Sequence, residues 1–298
     1  MAGIACGEKR YIDFVFGVGD YSMDRRPKHR SLAYVAKHHF RKDDGTFWEN
    51  TTGYDFATYV YMARMLVAGN LLSEMDPTAF PGAQFDFTHP DSPFYRPLRR
   101  ALYGYLAYCL PDGNQIVIGD YGEHKLPFRG ASHLWYIGRL LLKIPELAAL
   151  KPENSDKGFL DFIYPCGPWG KGVLPHRSTL MPRGLAVLRH GEGDHQLYAS
   201  LPHLLEGGGH QHADRLNLIF WAQNRLLFGE KEYAVSVDQR AHVIHKMSSA
   251  HNVVLVGGKN QDRGVRSTVH HFLGSDWLQI ADASVDDAYP WTLIAAAS

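Results

Sequence analysis

Cysteine is scarce. The chain of 298 residues has three, Cys6, Cys109 and Cys166, too few and too scattered for a disulfide framework or a zinc knuckle. Buried thiols are the simpler expectation. No apolar run reaches the roughly 18 residues of a transmembrane helix. Charge of one sign is also lacking: 31 Lys and Arg balance 31 Asp and Glu. That balance argues against a general nucleic-acid binder, which would be basic. It leaves an acidic glycan open, because local positive charge suffices to hold one. A secretory signal is not visible either. Met1 to Cys6 is mostly apolar, but Glu8, Lys9 and Arg10 end the stretch before an apolar core can form. No internal repeat stands out.

Hydrophobic residues make up 45% of the chain, enough for a large core and two domains. The first half reads as helices joined by aromatic-rich loops. Ser31 to Phe40, Tyr54 to Ala68, Ser92 to Leu110 and Ala131 to Leu150 carry helical spacing, the last interrupted by Pro145. Pro97 falls in the first turns of its helix, where proline is tolerated. Between roughly Asp161 and Leu185 the period changes. Leu185–Arg189 and His195–Ala199 read as short strands around a Gly191-Glu192-Gly193-Asp194 turn, and His270 to Ala281 closes the readable sheet. Helices first and strands later predict an α domain followed by a β domain.

The richest stretch is Gly207 to Tyr233, GGGHQHADRLNLIFWAQNRLLFGEKEY. Read as a strand, it places His210, His212 and Asp214 on one face, continued by Leu216, Leu218 and Phe220. Ala222-Gln223-Asn224-Arg225 fits a tight hairpin, with Leu226–Phe228 returning. His251 to Val256 reads as a further strand. His212, Glu230 and His251 then form a reasonable zinc ligand set. With 17 histidines in the chain, spacing alone also leaves structural histidines open.

These motifs resemble the heparinase II/III-like polysaccharide lyases, including their alginate-lyase relatives. The family pattern is H-G-H-x-D, an apolar hairpin ending in an acidic residue, and later an S/A-H-N-T-V-V-V-D-G strand. Here Gln211 replaces the middle Gly, Glu230 the usual Asp and Val253 the usual Thr. Weaker matches lie upstream at Gly45-Thr46-Phe47-Trp48-Glu49, Gly53-Tyr54 and Ile118-Gly119-Asp120.

The resemblance implies an α+β multidomain fold. The last part of an α/α toroid would occupy residues 1–165, and the first part of an antiparallel β-sandwich residues 172–298. It implies β-elimination on a uronic-acid glycan, with Tyr54 and His210 as the proton-transferring and substrate-facing residues. It also implies a structural zinc on His212, Glu230 and His251, and a location in the cell envelope or outside the cell. Arg183 and Arg189 are candidates to bind the acidic substrate. Two departures stand against full activity. Asp55 follows Tyr54 where relatives commonly have His, and position 54 leaves no room upstream for the carboxylate-neutralising Asn or His. Tyr233 lies too early to match the second tyrosine of some alginate-cleaving members. The chain is therefore expected to be a fragment lacking its natural start. Two alternatives follow: a catalytically degenerate carbohydrate-binding homologue and, last, a metal-dependent glycan hydrolase.

Overall fold

A computed structural model of the chain describes residues 3, 6–19, 31–47, 51–120, 137–150, 173–181, 184–203, 210–230 and 243–289. They divide into two compact units, each assembled from separated stretches: 1–48, 57–104 and 131–172 in one, 49–56, 105–130 and 173–298 in the other.

The first unit is helical. Helix α1 spans Lys9–Phe16 and stops at Gly17, whose left-handed φ of 72° lets its N–H return to the carbonyls of Asp13 and Phe14. Helix α2, Leu32–His38, starts on the Ser31 hydroxyl, which accepts the Tyr34 N–H at 3.1 Å. Most of α3, Thr52–Met75, and of α4, Tyr95–Ala107, belongs here too. The core is aromatic: the Phe16 ring lies 5.0 Å from Phe85 and meets Phe94 edge-on at 6.1 Å. Gly69 lets that ring approach, since a Cβ there would sit 2.2 Å from it. The expected helix over 131–150 appears in its described part as a π turn at Ile137–Leu141 and a 3-10 helix at Pro145–Leu150. Left-handed Lys143 separates them.

The second unit holds an antiparallel sheet in the order β1-β2-β3-β4-β5: Thr179–Met181, Leu185–His190, Leu197–Pro202, Ile219–Ala222 and Arg225–Phe228. Two further strands, β6 (Thr268–Gly274) and β7 (Gln279–Ser284), pair antiparallel with each other. Met181, Leu185, Val187, Tyr198, Ile219 and Trp221 pack on Tyr108, Leu110, Ile116 and Ile118. Arg189 ties the strands to that segment, its guanidinium donating to the carbonyls of Leu106, Ala107 and Cys109. The β4–β5 hairpin turns through Gln223 (φ 50°) and Asn224 (φ 56°), the two-residue turn its sequence predicts.

Two expected strands do not form. Residues 210–218 are turns and irregular backbone before β4 begins at Ile219, and 251–256 likewise stay outside any strand. Leu216 takes a left-handed φ of 61°, and the Asn217 N–H closes a turn onto the Asp214 carbonyl at 3.0 Å. The Asn252 N–H bonds the Asn217 side chain at 2.8 Å, so a side chain occupies the place of a ladder partner.

Trp221 is buried in this core. Trp221→Ala should cost about 3–5 kcal/mol of unfolding free energy in a urea titration. Leu227→Ala, on the exposed outer strand, should cost far less.

Candidate functional site

The segment entering β4 is polar yet buried: Gln211, His212, Asp214, Arg215 and Asn217 all lie inside. Without a ladder, its backbone is served by other groups. The Ala213 N–H bonds the Lys246 carbonyl at 3.1 Å, and the Ser248 hydroxyl donates to the Ala213 carbonyl at 2.6 Å. Gln261 accepts the Arg215 N–H at 2.7 Å and returns its own amide to the Arg215 carbonyl.

This loop aims His212 and Asp214 at Glu230, which ends the β5 arm, and at His251. One ligand atom from each of these four residues lies within 4.8 Å of the others. His212 Nδ1 is 3.7 Å from Glu230 Oε1, and His251 Nδ1 contacts the same oxygen. Asn217 donates to the other Glu230 oxygen. His212 Nδ1, Asp214 Oδ1 and His251 Nε2 are buried without hydrogen-bond partners, although Arg215 stands 3.7 Å from Asp214 Oδ1. Buried polar atoms ordinarily find partners, so convergent orphans mark a place for a cation. Burial and the neighbouring Glu230 charge push the Asp214 carboxyl up. Burial works against ionised Glu230 too, but the neighbouring His212 and His251 imidazoles outweigh it and hold that carboxyl down. Two imidazoles and two carboxylates suit Zn²⁺, which takes nitrogen and oxygen ligands in a tetrahedron. Asp214 is the group the three-residue expectation omitted, although its spacing two residues after His212 was visible.

On its far side His212 donates from Nε2 to Asp120 Oδ1 at 2.8 Å. When the ring is neutral, that bond leaves Nδ1, the atom facing the cluster, as the lone-pair nitrogen. His210 Nδ1 lies 3.1 Å from Asp120 Oδ2, and Lys246 Nζ reaches the same oxygen at 2.7 Å. Burial disfavours the Asp120 charge, but these three donors more than compensate and hold its carboxyl at about 2. Burial opposes the charged form of His212, whereas Asp120 and Glu230 favour it and raise the imidazole to about 9. Neither Asp120 nor Lys246 was an expected site residue. Gly119-Asp120 appeared only as a weak match, and nothing local marks Lys246.

Tyr54 stands at the start of α3, where its N–H is capped by the Thr51 hydroxyl at 3.3 Å. Its ring stacks on His210 with centroids 3.9 Å apart and planes 23° from parallel. Both side chains are partly exposed, Tyr54 at 38% and His210 at 36%. Their ring-to-ring contact leaves no room for a sugar ring between them, so a substrate would meet the two side by side. Arg189 is withdrawn as a substrate-binding candidate, because its guanidinium is buried and committed to three carbonyls. Arg183 and Tyr233 lie outside the described residues.

No family model and no curated protein matches the chain. Solved structures do. A heparinase III gene product superposes with a TM-score of 0.65 at 14% identity, covering 94% of this chain and 41% of that one. The heparan sulfate lyase HepC from Pedobacter heparinus gives 0.61 at 13% identity, covering 89% and 39%. The chain thus spans well under half the length of either. Over the part it spans, the chain has the fold of the heparinase III and heparan sulfate lyase structures.

Proposed function

We propose that the chain is part of a polysaccharide lyase that cleaves a uronic-acid glycan by β-elimination. The observation that carries this reading is the half-exposed Tyr54–His210 stack, with His210 held from behind by Asp120. The helical residues would form part of a toroid over 1–165 and the strands part of a β-sandwich over 172–298. The sugar carboxylate must be neutralised so that the C5 proton can leave. A base then takes that proton, the C4–O bond breaks with formation of the C4–C5 double bond, and an acid protonates the departing oxygen. A tyrosine and a histidine presented side by side can share the two proton transfers. An acidic polysaccharide as partner accords with the likeness to heparinase III and heparan sulfate lyase structures. A place in the cell envelope or outside the cell belongs to the same proposal. Among the described residues no helix is long and apolar enough to cross a membrane.

Zinc would be held by His212, Asp214, Glu230 and His251, and its contribution there would be to pin three separate chain segments together. That places Asp120 directly behind a ligand and next to His210. A second reading, a carbohydrate-binding homologue without activity, draws support from Asp55, which is buried directly after Tyr54.

Purified protein should carry about one equivalent of zinc by elemental analysis, with ligand distances of about 2.0–2.2 Å by X-ray absorption. His212→Ala should abolish binding, and a metal-free preparation that stays metal-free in added zinc would end the idea. Below its raised pKa of about 9 His212 carries a proton on the nitrogen that zinc needs. Zinc affinity should therefore fall with falling pH, by about tenfold per unit for one displaced proton, as competition titrations would show.

For the lyase reading, the ultraviolet absorbance of unsaturated uronide is followed on a panel of polyuronates, using the longest natural form of the protein. Tyr54→Phe, which removes only a hydroxyl, should lower the rate by roughly 10²–10⁴-fold with little change in stability. His210→Ala should do the same while zinc stays bound. Undiminished product formation by Tyr54→Phe would make that residue a packing aromatic. Glycan binding without product would favour the second reading.

A further inference from the structure

We propose that Asp120 is the positioning residue of this site, fixing His210 as the Nδ1–H tautomer with Nε2 bare beside Tyr54. The proposal rests on the reading of His210 as a proton-transfer group. Its own basis is the geometry of residues 118–120.

Asp120 is buried, and its carboxylate can only accept hydrogen bonds. His210 Nδ1, 3.1 Å from Oδ2, must therefore carry its hydrogen, which leaves Nε2 with the lone pair whenever the ring is neutral. The carboxylate cannot swing away to release the ring. Its other oxygen is held by His212 Nε2 at 2.8 Å, and Lys246 Nζ holds Oδ2 at 2.7 Å.

The backbone is fixed as well. The Asp120 N–H donates to the His210 carbonyl at 2.9 Å, so one residue grips His210 by main chain and side chain together. Gly119 makes the approach possible: its φ is +70°, and a Cβ there would lie 2.7 Å from the same carbonyl. One residue earlier, the Ile118 N–H donates to the Thr52 hydroxyl at 3.1 Å, and the Thr52 N–H bonds the Ile118 carbonyl at 3.2 Å. Three consecutive residues thus hold both the turn that begins the Tyr54 helix and the His210 ring stacked against Tyr54.

The test is the ring nitrogen spectrum of ¹⁵N-histidine-labelled protein at mildly alkaline pH, where the two-bond couplings distinguish the tautomers. His210 is expected to show a protonated Nδ1 and a bare Nε2. Asp120→Asn exchanges one acceptor oxygen for an NH₂ donor, so His210 should lose that fixed tautomer. In turnover measurements the same variant should lower kcat by more than tenfold while KM moves by less than about threefold, the pattern of a group that acts on the transition state. Wild-type His210 in the Nε2–H form, or an unchanged His210 signal in Asp120→Asn, would overturn the proposal. Should Asp120→Asn not fold, the wild-type spectrum decides alone. The Nδ1–H form in a protein that yields no uronide product would retain the positioning role and sink the lyase reading. Product formation with the other tautomer would do the reverse.

Discussion

A polar loop buried without a strand ladder sets the terms for the rest of this site. Each N–H and C=O between Gln211 and Asn217 would cost on the order of 1–3 kcal/mol if left unpaired inside. Neighbouring segments provide partners: Lys246 and Ser248 for Ala213, Gln261 for Arg215, and the Pro202 carbonyl for the Leu216 N–H. Those partners come from three separate stretches, so the loop cannot move without disturbing all of them. That immobility is what allows His212 and Asp214 to face Glu230 and His251 with little freedom to rotate.

The same constraint explains what the sequence could and could not disclose. Strand β3 was legible because its burial alternates, and β2 because a short, mostly buried apolar run ends at the Gly191 turn. The β4–β5 hairpin was legible because Asn224 tolerates a left-handed backbone. The strand read over 210–218 was wrong for a physical reason. Gln211 and Asn217 are as deeply buried as His212 and Asp214, so no period of two separates an inner from an outer face. The turn at Leu216 had no warning in the chain, since leucine is an unusual residue at positive φ. The His, Glu and His that converge in the buried cluster were readable from residue type and resemblance. Asp120 was not, because its partners lie 90, 92 and 126 residues away.

Asp120 also gives the polar interior its electrostatic logic. A carboxylate held near pKa 2 is a fixed negative charge at any physiological pH. Set between two imidazoles and an ammonium, it directs one hydrogen of each ring and leaves the opposite nitrogens for other work. On His212 that nitrogen faces the acidic cluster; on His210 it is the nitrogen not engaged by Asp120. One buried group therefore assigns different tasks to two histidines only two positions apart.

Arg189 turned out to serve architecture instead of substrate. Its guanidinium, stacked 4.7 Å from the Tyr198 ring, takes up the carbonyls of Leu106, Ala107 and Cys109 where helix α4 runs out. Carbonyls at a helix end need donors from elsewhere, and here a strand supplies them. The end of that helix and the β-sheet are consequently joined in one cooperative unit. Fraying that exposes Arg189 would withdraw its guanidinium from three carbonyls at once, leaving Leu106 with the Cys109 N–H and Ala107 with the Tyr198 hydroxyl. The helix end and strand β2 therefore have no cheap way to open separately, and local unfolding there would proceed as a single step.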